Sequence, residues 1–344
     1  MQKTQAGRTG KEIARDIWNS FPFCWMMLLA ATALLNSPAA ANAETAVDSG
    51  AGYAQPAIDT HGNAIRVTST FVSVPVSVTS IKGSAVQGLT IDDFLVLEDG
   101  VPVTISRMSV AARSPLQLAL LVDISGSIHD SFELERKAAI RFLEKVWKPG
   151  DMVSILSFSG HTEMHLENFG HVSEALRKLA LLEPEKGPTA LYDAIVETAG
   201  LMNRTASDQT RRAMIVFSDG ADNRSDHCIR RTLDAVQRSN ILFYSINSSG
   251  ASVRLNSVNR RGQENMEELA AAGGGMAFVI DSTSDADHIF NAIATDFSAQ
   301  YLLSYYSPNP YKKGTYRHIK VSLPGKSEVR IRARRGYYTA LDSP

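Results

Sequence analysis

The stretch Leu118-Ala119-Leu120-Leu121-Val122-Asp123-Ile124-Ser125-Gly126-Ser127 decides how this chain is read. Its unbroken apolar run suits a strand covered on both faces, as in a parallel sheet, rather than a strand with one wet face. The run ends in a carboxylate and two hydroxyls on a tight turn. From Ser131 to Lys148, Ala138, Ala139, Phe142, Leu143 and Val146 then recur at helical spacing. Strand, polar turn and amphipathic helix, in that order, open an α/β unit. In doubly wound sheets binding sites form where loops leave the carboxyl ends of the strands, so Asp123, Ser125 and Ser127 lie where chemistry is expected. By itself the Asp-x-Ser-x-Ser turn also suits helix capping.

Downstream the alternation continues. Met152 to Phe158, Ala213 to Ser218, Ile241 to Ile246 and Met276 to Ile280 read as strands. Val172 to Leu181, Leu191 to Met202, Ile229 to Ser239, Asn265 to Ala272 and Asp285 to Ser298 read as helices. The expected fold is a mostly parallel, doubly wound sheet with helices on both faces. Upstream the texture is all-β: Val72, Val74, Val76 and Val78 alternate with Ser73, Pro75, Ser77 and Thr79, and Pro75 favours a sheet edge. Phe94 to Leu97 is a strand, and Glu98-Asp99-Gly100 turns the chain into a return arm from Val101 to Ile105. Beyond Gln300, strands are expected at Tyr301 to Tyr306, Tyr316 to Leu323 and Val329 to Ala333. They do not fit a sheet already covered by helices, so they are expected to complete the upstream β-module, which is then discontinuous around the α/β insert.

The expected division is an export signal over 1–43, a flexible linker over 44–64, N-terminal strands over 65–113, the α/β domain over 114–298 and C-terminal strands over 299–341. The signal is read from Lys3, Arg8, Lys11 and Arg15 before an apolar run from Phe23 to Leu35, with Ala41-Asn42-Ala43 as a cleavage site. The run is shorter than the roughly 20 residues of a spanning helix and is flanked by Pro22 and Pro38, so no membrane span is expected after cleavage. The protein is therefore expected in the periplasm or outside the cell. Cleavage at that site removes Cys24 and leaves Cys228 alone, so packing rather than an internal disulfide must stabilise the fold. Length permits two modest domains, and a formal net charge of -1 over 344 residues gives no sign of a nucleic-acid binder.

Two further segments bear on the polar turn. Gly187-Pro188-Thr189-Ala190-Leu191-Tyr192-Asp193 opens a helix with a hydroxyl, and Ala213-Met214-Ile215-Val216-Phe217-Ser218-Asp219-Gly220 is a buried strand ending in a carboxylate. Together the three segments resemble the von Willebrand factor type A domain, whose metal-ion-dependent adhesion site combines an Asp-x-Ser-x-Ser turn, a distant Thr and a strand-end Asp. Asp123, Ser125, Ser127, Thr189 and Asp219 match it position by position. The resemblance implies a metal site. Five oxygen donors with no His or Cys argue for Mg²⁺ or Mn²⁺ over Zn²⁺ or Cu²⁺. It also implies docking of a protein partner through an Asp or Glu carboxylate, with Ser125, Ser127 and Thr189 as direct ligands and the two Asp supplying charge, partly through water.

A second resemblance covers the flanks. Gly88-Leu89-Thr90-Ile91-Asp92-Asp93-Phe94-Leu95-Val96-Leu97-Glu98-Asp99-Gly100, Tyr301-Leu302-Leu303-Ser304-Tyr305-Tyr306 and Arg335-Gly336-Tyr337-Tyr338 look like a bacterial family that flanks such a domain with a small β-module. Other signals have plainer readings. His161, Glu163 and His165 alternate like zinc ligands, yet an edge strand with Thr162, Met164 and Leu166 inward explains them. Gly325-Lys326-Ser327 is a turn, Gly273-Gly274-Gly275 stops a helix, Asp222 and Asp226 are solvated loop carboxylates, and the C-terminal tyrosines are strand packing. The expected function is non-enzymatic, metal-dependent protein binding in an adhesion or scaffold role. The alternatives are a structural envelope protein whose metal ties loops together, and a metal-dependent hydrolase, for which the matched residues include no base.

Overall fold

The computed structural model describes residues 57–58, 64–65, 70–110, 114–129, 131–205, 210–248, 250, 257–280, 283–309, 312 and 314–339. The expected export signal, Cys24, Tyr311 and most of the expected linker lie outside the described residues. Near the linker's end, β1 (Ala57–Ile58) pairs antiparallel with β2 (Ala64–Ile65). The valine alternation forms β3 (Phe71–Ser80), and Val72, Val74, Val76 and Val78 all turn into a core. β4 (Leu95–Glu98) and β5 (Val101–Val103) form the expected hairpin. Its two-residue turn puts both Asp99 and Gly100 at positive φ (49° and 85°), a twist that matches paired strands and that Asp and Gly tolerate. β6 (Ile105–Val110) ends this section.

The α/β region then runs β7 (Leu116–Asp123), α1 (Phe132–Val146), β8 (Met152–Phe158), β9 (Thr162–Phe169), α2 (Val172–Ala180) and α3 (Leu191–Thr205). It continues through β10 (Arg211–Phe217), α4 (Ile229–Arg238), β11 (Leu242–Asn247), α5 (Ser257–Gly273), β12 (Ala277–Val279) and α6 (Thr283–Ser298). The sheet order is β12-β11-β10-β7-β8-β9, parallel throughout except for β9, which pairs antiparallel at one edge. Every residue of β7 is buried, as the unbroken apolar run requires. Its side chains alternate between two cores. Leu118, Leu120 and Val122 meet Phe142 and Leu143 of α1 and Phe290 and Ile293 of α6. Ala119 and Leu121 meet Leu191 and Ile195 of α3 and Met266 and Leu269 of α5. This is the helix-covered sheet that the sequence pattern implies.

The inward face expected for β9 is not kept. Bulges shift its register against β8, leaving Met164 40% exposed while His165 is half-buried and meets Ser157 Oγ through Nε2 at 2.7 Å. An edge strand relaxes strict alternation in this way.

The chain closes with β13 (Gln300–Tyr306), β14 (Tyr316–Ser322), β15 (Val329–Ala333) and β16 (Gly336–Tyr338). These strands interleave with the upstream ones in two antiparallel sheets, ordered β15-β3-β13-β6 and β16-β14-β4-β5, over one shared core. The α/β fold is thus inserted in a discontinuous, sandwich-like β-module. Contrary to the expectation from Pro75, β3 is an interior strand. Its pairing with β15 stops at Val76 opposite Ala333, while Val78 N–H donates toward the β13 side, to Ala299 O, at 3.1 Å. Alternation turns Pro75 to the other flank, just past the last β15 pair, where a missing N–H removes no ladder bond.

Candidate metal centre

β7 and β10 are neighbours at the point where the strand order reverses, so the loops leaving their carboxyl ends diverge and open a crevice. Asp123 ends β7 fully buried. Its Oδ1 accepts the Ser125 N–H at 2.9 Å and its Oδ2 accepts the Ser218 hydroxyl at 2.7 Å. Burial pushes the Asp123 carboxyl up to about 7, because the hydrogen bonds from Ser125 and Ser218 only partly offset desolvation and the charge of Asp219 adds to it. Ser125 Oγ lies 3.0 Å from Ser127 Oγ and accepts the Thr189 hydroxyl at 2.8 Å. Three hydroxyls thus converge beside the Asp123 carboxylate. Ser125 and Thr189 are buried, whereas Ser127 is exposed at the mouth.

Thr189 is held from both sides. Ala190 N–H donates to Ser159 O at 2.7 Å, and Gly126 N–H reaches Gly187 O at 3.1 Å, joining the Thr loop to the Asp-x-Ser-x-Ser turn. Thr189 N–H donates to Asn223 Oδ1 at 2.9 Å, and Thr189 O accepts the N–H groups of Asn223 and Arg224. Asp222 and Asp226 belong to this same strap. Asp222 Oδ1 accepts the Ser225 hydroxyl at 2.5 Å and the Tyr192 N–H at 3.3 Å, and Asp193 accepts the N–H groups of Asp226 and His227 at 2.9 Å. Against the burial that raises it, these bonds hold the Asp193 carboxyl below its usual range. Asp222 therefore organises the loop rather than standing free in solvent.

Asp219 is 3% exposed, and its Oδ1 accepts the Ala221 N–H at 2.9 Å. It shares no hydrogen bond with the hydroxyl cluster, but its charge reaches Asp123. Among the described residues no group of three His, Cys, Asp or Glu is arranged to hold an ion. A cation at this point would depend on the hydroxyls as well as the two carboxylates, and an all-oxygen donor set suits a hard divalent ion.

A third carboxylate lies within reach. Glu135 of α1 is fully buried, its Oε1 accepts the Ser248 hydroxyl at 2.6 Å, and its Oε2 has no hydrogen-bond partner among the described residues. Sequence reading passed over it, though the signal was present: Glu135 stands three residues from Phe132 and Ala138 and seven from Phe142, on the apolar stripe of the helix.

The model of the von Willebrand factor type A domain matches residues 117–292. The chain belongs to that family. The matched type A domain begins in β7 and ends in α6, so it contains all five candidate ligands. No curated protein sequence matches the chain. Among solved structures, BatB from Bacteroides thetaiotaomicron is 20% identical, with 52% of this chain and 97% of that one covered at a TM-score of 0.42. Proximal thread matrix protein 1 from the mussel byssus, with a zinc-occupied MIDAS motif, is 14% identical over 60% of this chain and 50% of that one, at 0.45. The pilus adhesin SpaC from Lactobacillus rhamnosus GG is 11% identical over 65% and 44%, at 0.44.

Proposed function

We propose that this chain is an exported, non-enzymatic binding protein whose type A domain docks a protein partner through a divalent cation. Asp123, Ser125, Ser127, Thr189 and Asp219 hold Mg²⁺ or Mn²⁺, and an Asp or Glu of the partner completes the coordination. When bound, the ion supplies the electrophilic centre that a partner carboxylate needs. The residues of this chain orient it, with Ser125, Ser127 and Thr189 as direct ligands and the two Asp balancing its charge. The proposed extents are 1–43 for the signal, 44–64 for the linker, 114–298 for the domain, and 65–113 with 299–341 for the β-module. Among the described residues no helix is long and apolar enough to cross a membrane.

One observation carries this reading: the hydroxyls of Ser127 and Thr189 both meet Ser125 Oγ, at 3.0 and 2.8 Å, beside a buried carboxylate, and of the three residues only Ser127 is exposed to solvent. Two buried hydroxyls beside one that reaches solvent suit an ion that keeps a coordination position for an incoming ligand. Nothing favours hydrolysis to the same degree. Ser157, which pairs with His165, is fully buried and presents no nucleophile to a substrate.

The test is calorimetric titration of Mg²⁺ and Mn²⁺ into the metal-stripped chain, beside Thr189→Ala and an Asp123→Ala, Ser125→Ala double variant. Saturable binding is expected for the wild type and none for the double variant. Thr189→Ala is expected to weaken the ion and leave the Tm in chelator unchanged. A wild type that takes up neither ion refutes docking through a metal, and a Thr189→Ala chain that loses stability in parallel with affinity favours an ion that only ties loops together.

A further inference from the structure

Glu135 is a buried carboxyl group with one hydrogen-bond partner among the described residues. Its helical stripe is otherwise apolar, formed by Phe132, Ala138, Ala139 and Phe142. A side chain such as Leu or Met would suit that position better, because taking a carboxylate out of water is costly unless a cation or a full set of hydrogen bonds replaces the lost hydration. Among the described residues Glu135 has one bond, from Ser248, and one oxygen with none. The charged groups that act on it are Asp123 and Asp219, both of its own sign. Burial, with those two charges, holds the Glu135 carboxyl well above its usual range. Three acidic groups from β7, α1 and the end of β10 thus lie close enough for the charges of Asp123 and Asp219 both to disfavour an ionised Glu135. A divalent ion placed among Asp123, Ser125 and Thr189 attracts all three carboxylates and offsets their repulsion.

Resting on the docking reading above, we infer that Glu135 is a positioning residue of the metal centre: its buried carboxylate is matched to the bound ion, strengthening ion binding while destabilising the ion-free protein. It also ties the centre to the segment after β11. Ser248 follows Asn247, whose Nδ2 donates to Asp219 O at 3.2 Å, so Glu135 and Asp219 grip adjacent residues of one strand end. The carboxylate that answers the ion's charge also sets the position of the backbone beside the Asp219 ligand. Outer partners of metal ligands typically change affinity by roughly 10–100-fold when removed.

The experiment uses the full chain with Glu135→Gln, which keeps the shape and the acceptor for Ser248, and Glu135→Met, which fills the apolar stripe. Mn²⁺ affinity is measured by calorimetry, and Tm is measured at pH 8 both in chelator and with saturating Mn²⁺. Both variants are expected to melt higher than the wild type in chelator, to bind Mn²⁺ roughly 10–100-fold more weakly, and so to gain less Tm from the ion. A merely structural Glu135 lowers Tm equally with and without Mn²⁺, and that result overturns the inference. Wild-type affinity in both variants also overturns it while the docking reading stands. A wild type that binds no ion removes the docking reading itself, and this inference with it.

Discussion

At the scale of single residues, the β-module turns on Glu98. It closes β4 fully buried and accepts four hydrogen bonds: Tyr305 Oη at 2.7 Å and Tyr337 Oη at 3.1 Å on Oε2, Ser307 Oγ at 2.5 Å and Asn309 Nδ2 at 2.7 Å on Oε1. Burial and the neighbouring Glu98 push the Tyr305 hydroxyl far above its usual range, and burial likewise pushes Tyr337 up to about 12, so both remain donors at any working pH. Glu98→Ala strands buried hydroxyls with no acceptor, at a cost of about 3 kcal/mol. Urea unfolding is expected to show that loss with Mn²⁺ affinity unchanged, and a loss below about 1 kcal/mol would mean that water replaces the carboxylate. Sequence reading treats Glu98 as one residue of a turn, because the four side chains that bond its carboxylate lie 207 to 239 positions later. The five candidate ligands were legible for the opposite reason. Three occupy one turn and the others open a helix and end a strand, and all three settings are written in local pattern. Glu135 falls between: its place on an apolar stripe is legible, but the partner that makes it matter is not.

At the scale of elements, α5 shows how a buried helix can escape notice. The sequence pattern predicts a helix only from Asn265, whereas α5 begins at Ser257. Its first buried positions are Gly262 and Gln263, which carry little apolar signal because the helix there presses on backbone rather than on side chains. A Cβ on Gly262 would stand 2.6 Å from Gly220 O, 2.7 Å from Gly220 C and 3.2 Å from Ala221 N. Ala221 N–H is the donor that holds the Asp219 carboxylate. Helix propensity alone makes Gly262→Ala stabilising by about 0.5–1 kcal/mol. The clash is with backbone atoms that cannot rotate away, and overpacking of that kind costs about 1–3 kcal/mol, so the clash wins. Gly262→Ala is expected to lower Tm and to weaken Mn²⁺ binding by displacing Asp219. A higher Tm with unchanged affinity would show that α5 can slide away from the loop. The reversed expectation at Pro75 has a similar origin, since a single strand cannot reveal where its neighbour's ladder stops.

At the scale of the whole molecule, the α/β domain and the β-module differ in their dependence on chain order. All six strands of the parallel-based sheet lie between Leu116 and Val279, and its two cores draw on residues from Leu116 to Phe297. β3, by contrast, is paired on both sides by strands that follow the domain, and its core needs Tyr301, Leu303, Tyr305, Ile319 and Tyr337. Polar contacts join the two parts: Asp296 of α6 pairs with Arg332 of β15, and on α4 Gln237 Nε2 donates to Tyr316 Oη of β14 at 3.3 Å while the Arg238 guanidinium lies 4.1 Å over the Tyr338 ring of β16. Cutting the chain at Ser298 therefore affects the parts unequally. A 114–298 fragment loses Arg332, Tyr316 and Tyr338, but the cut lets water reach Asp296, Gln237 and Arg238 in their place. It is expected to unfold cooperatively and to bind Mn²⁺ within about threefold of the full chain, since among the described residues no hydrogen bond joins a candidate ligand to the module and distant sites act independently. A chain truncated after Ser298 that keeps its N-terminal strands leaves Val72, Val74, Val76 and Val78 facing water with both edges of β3 unpaired. It is expected to bind a hydrophobic dye and to aggregate, while the shorter fragment stays monomeric. Aggregation of the 114–298 fragment as well would mean that the domain needs the module to fold, and that the proposed boundaries are misplaced.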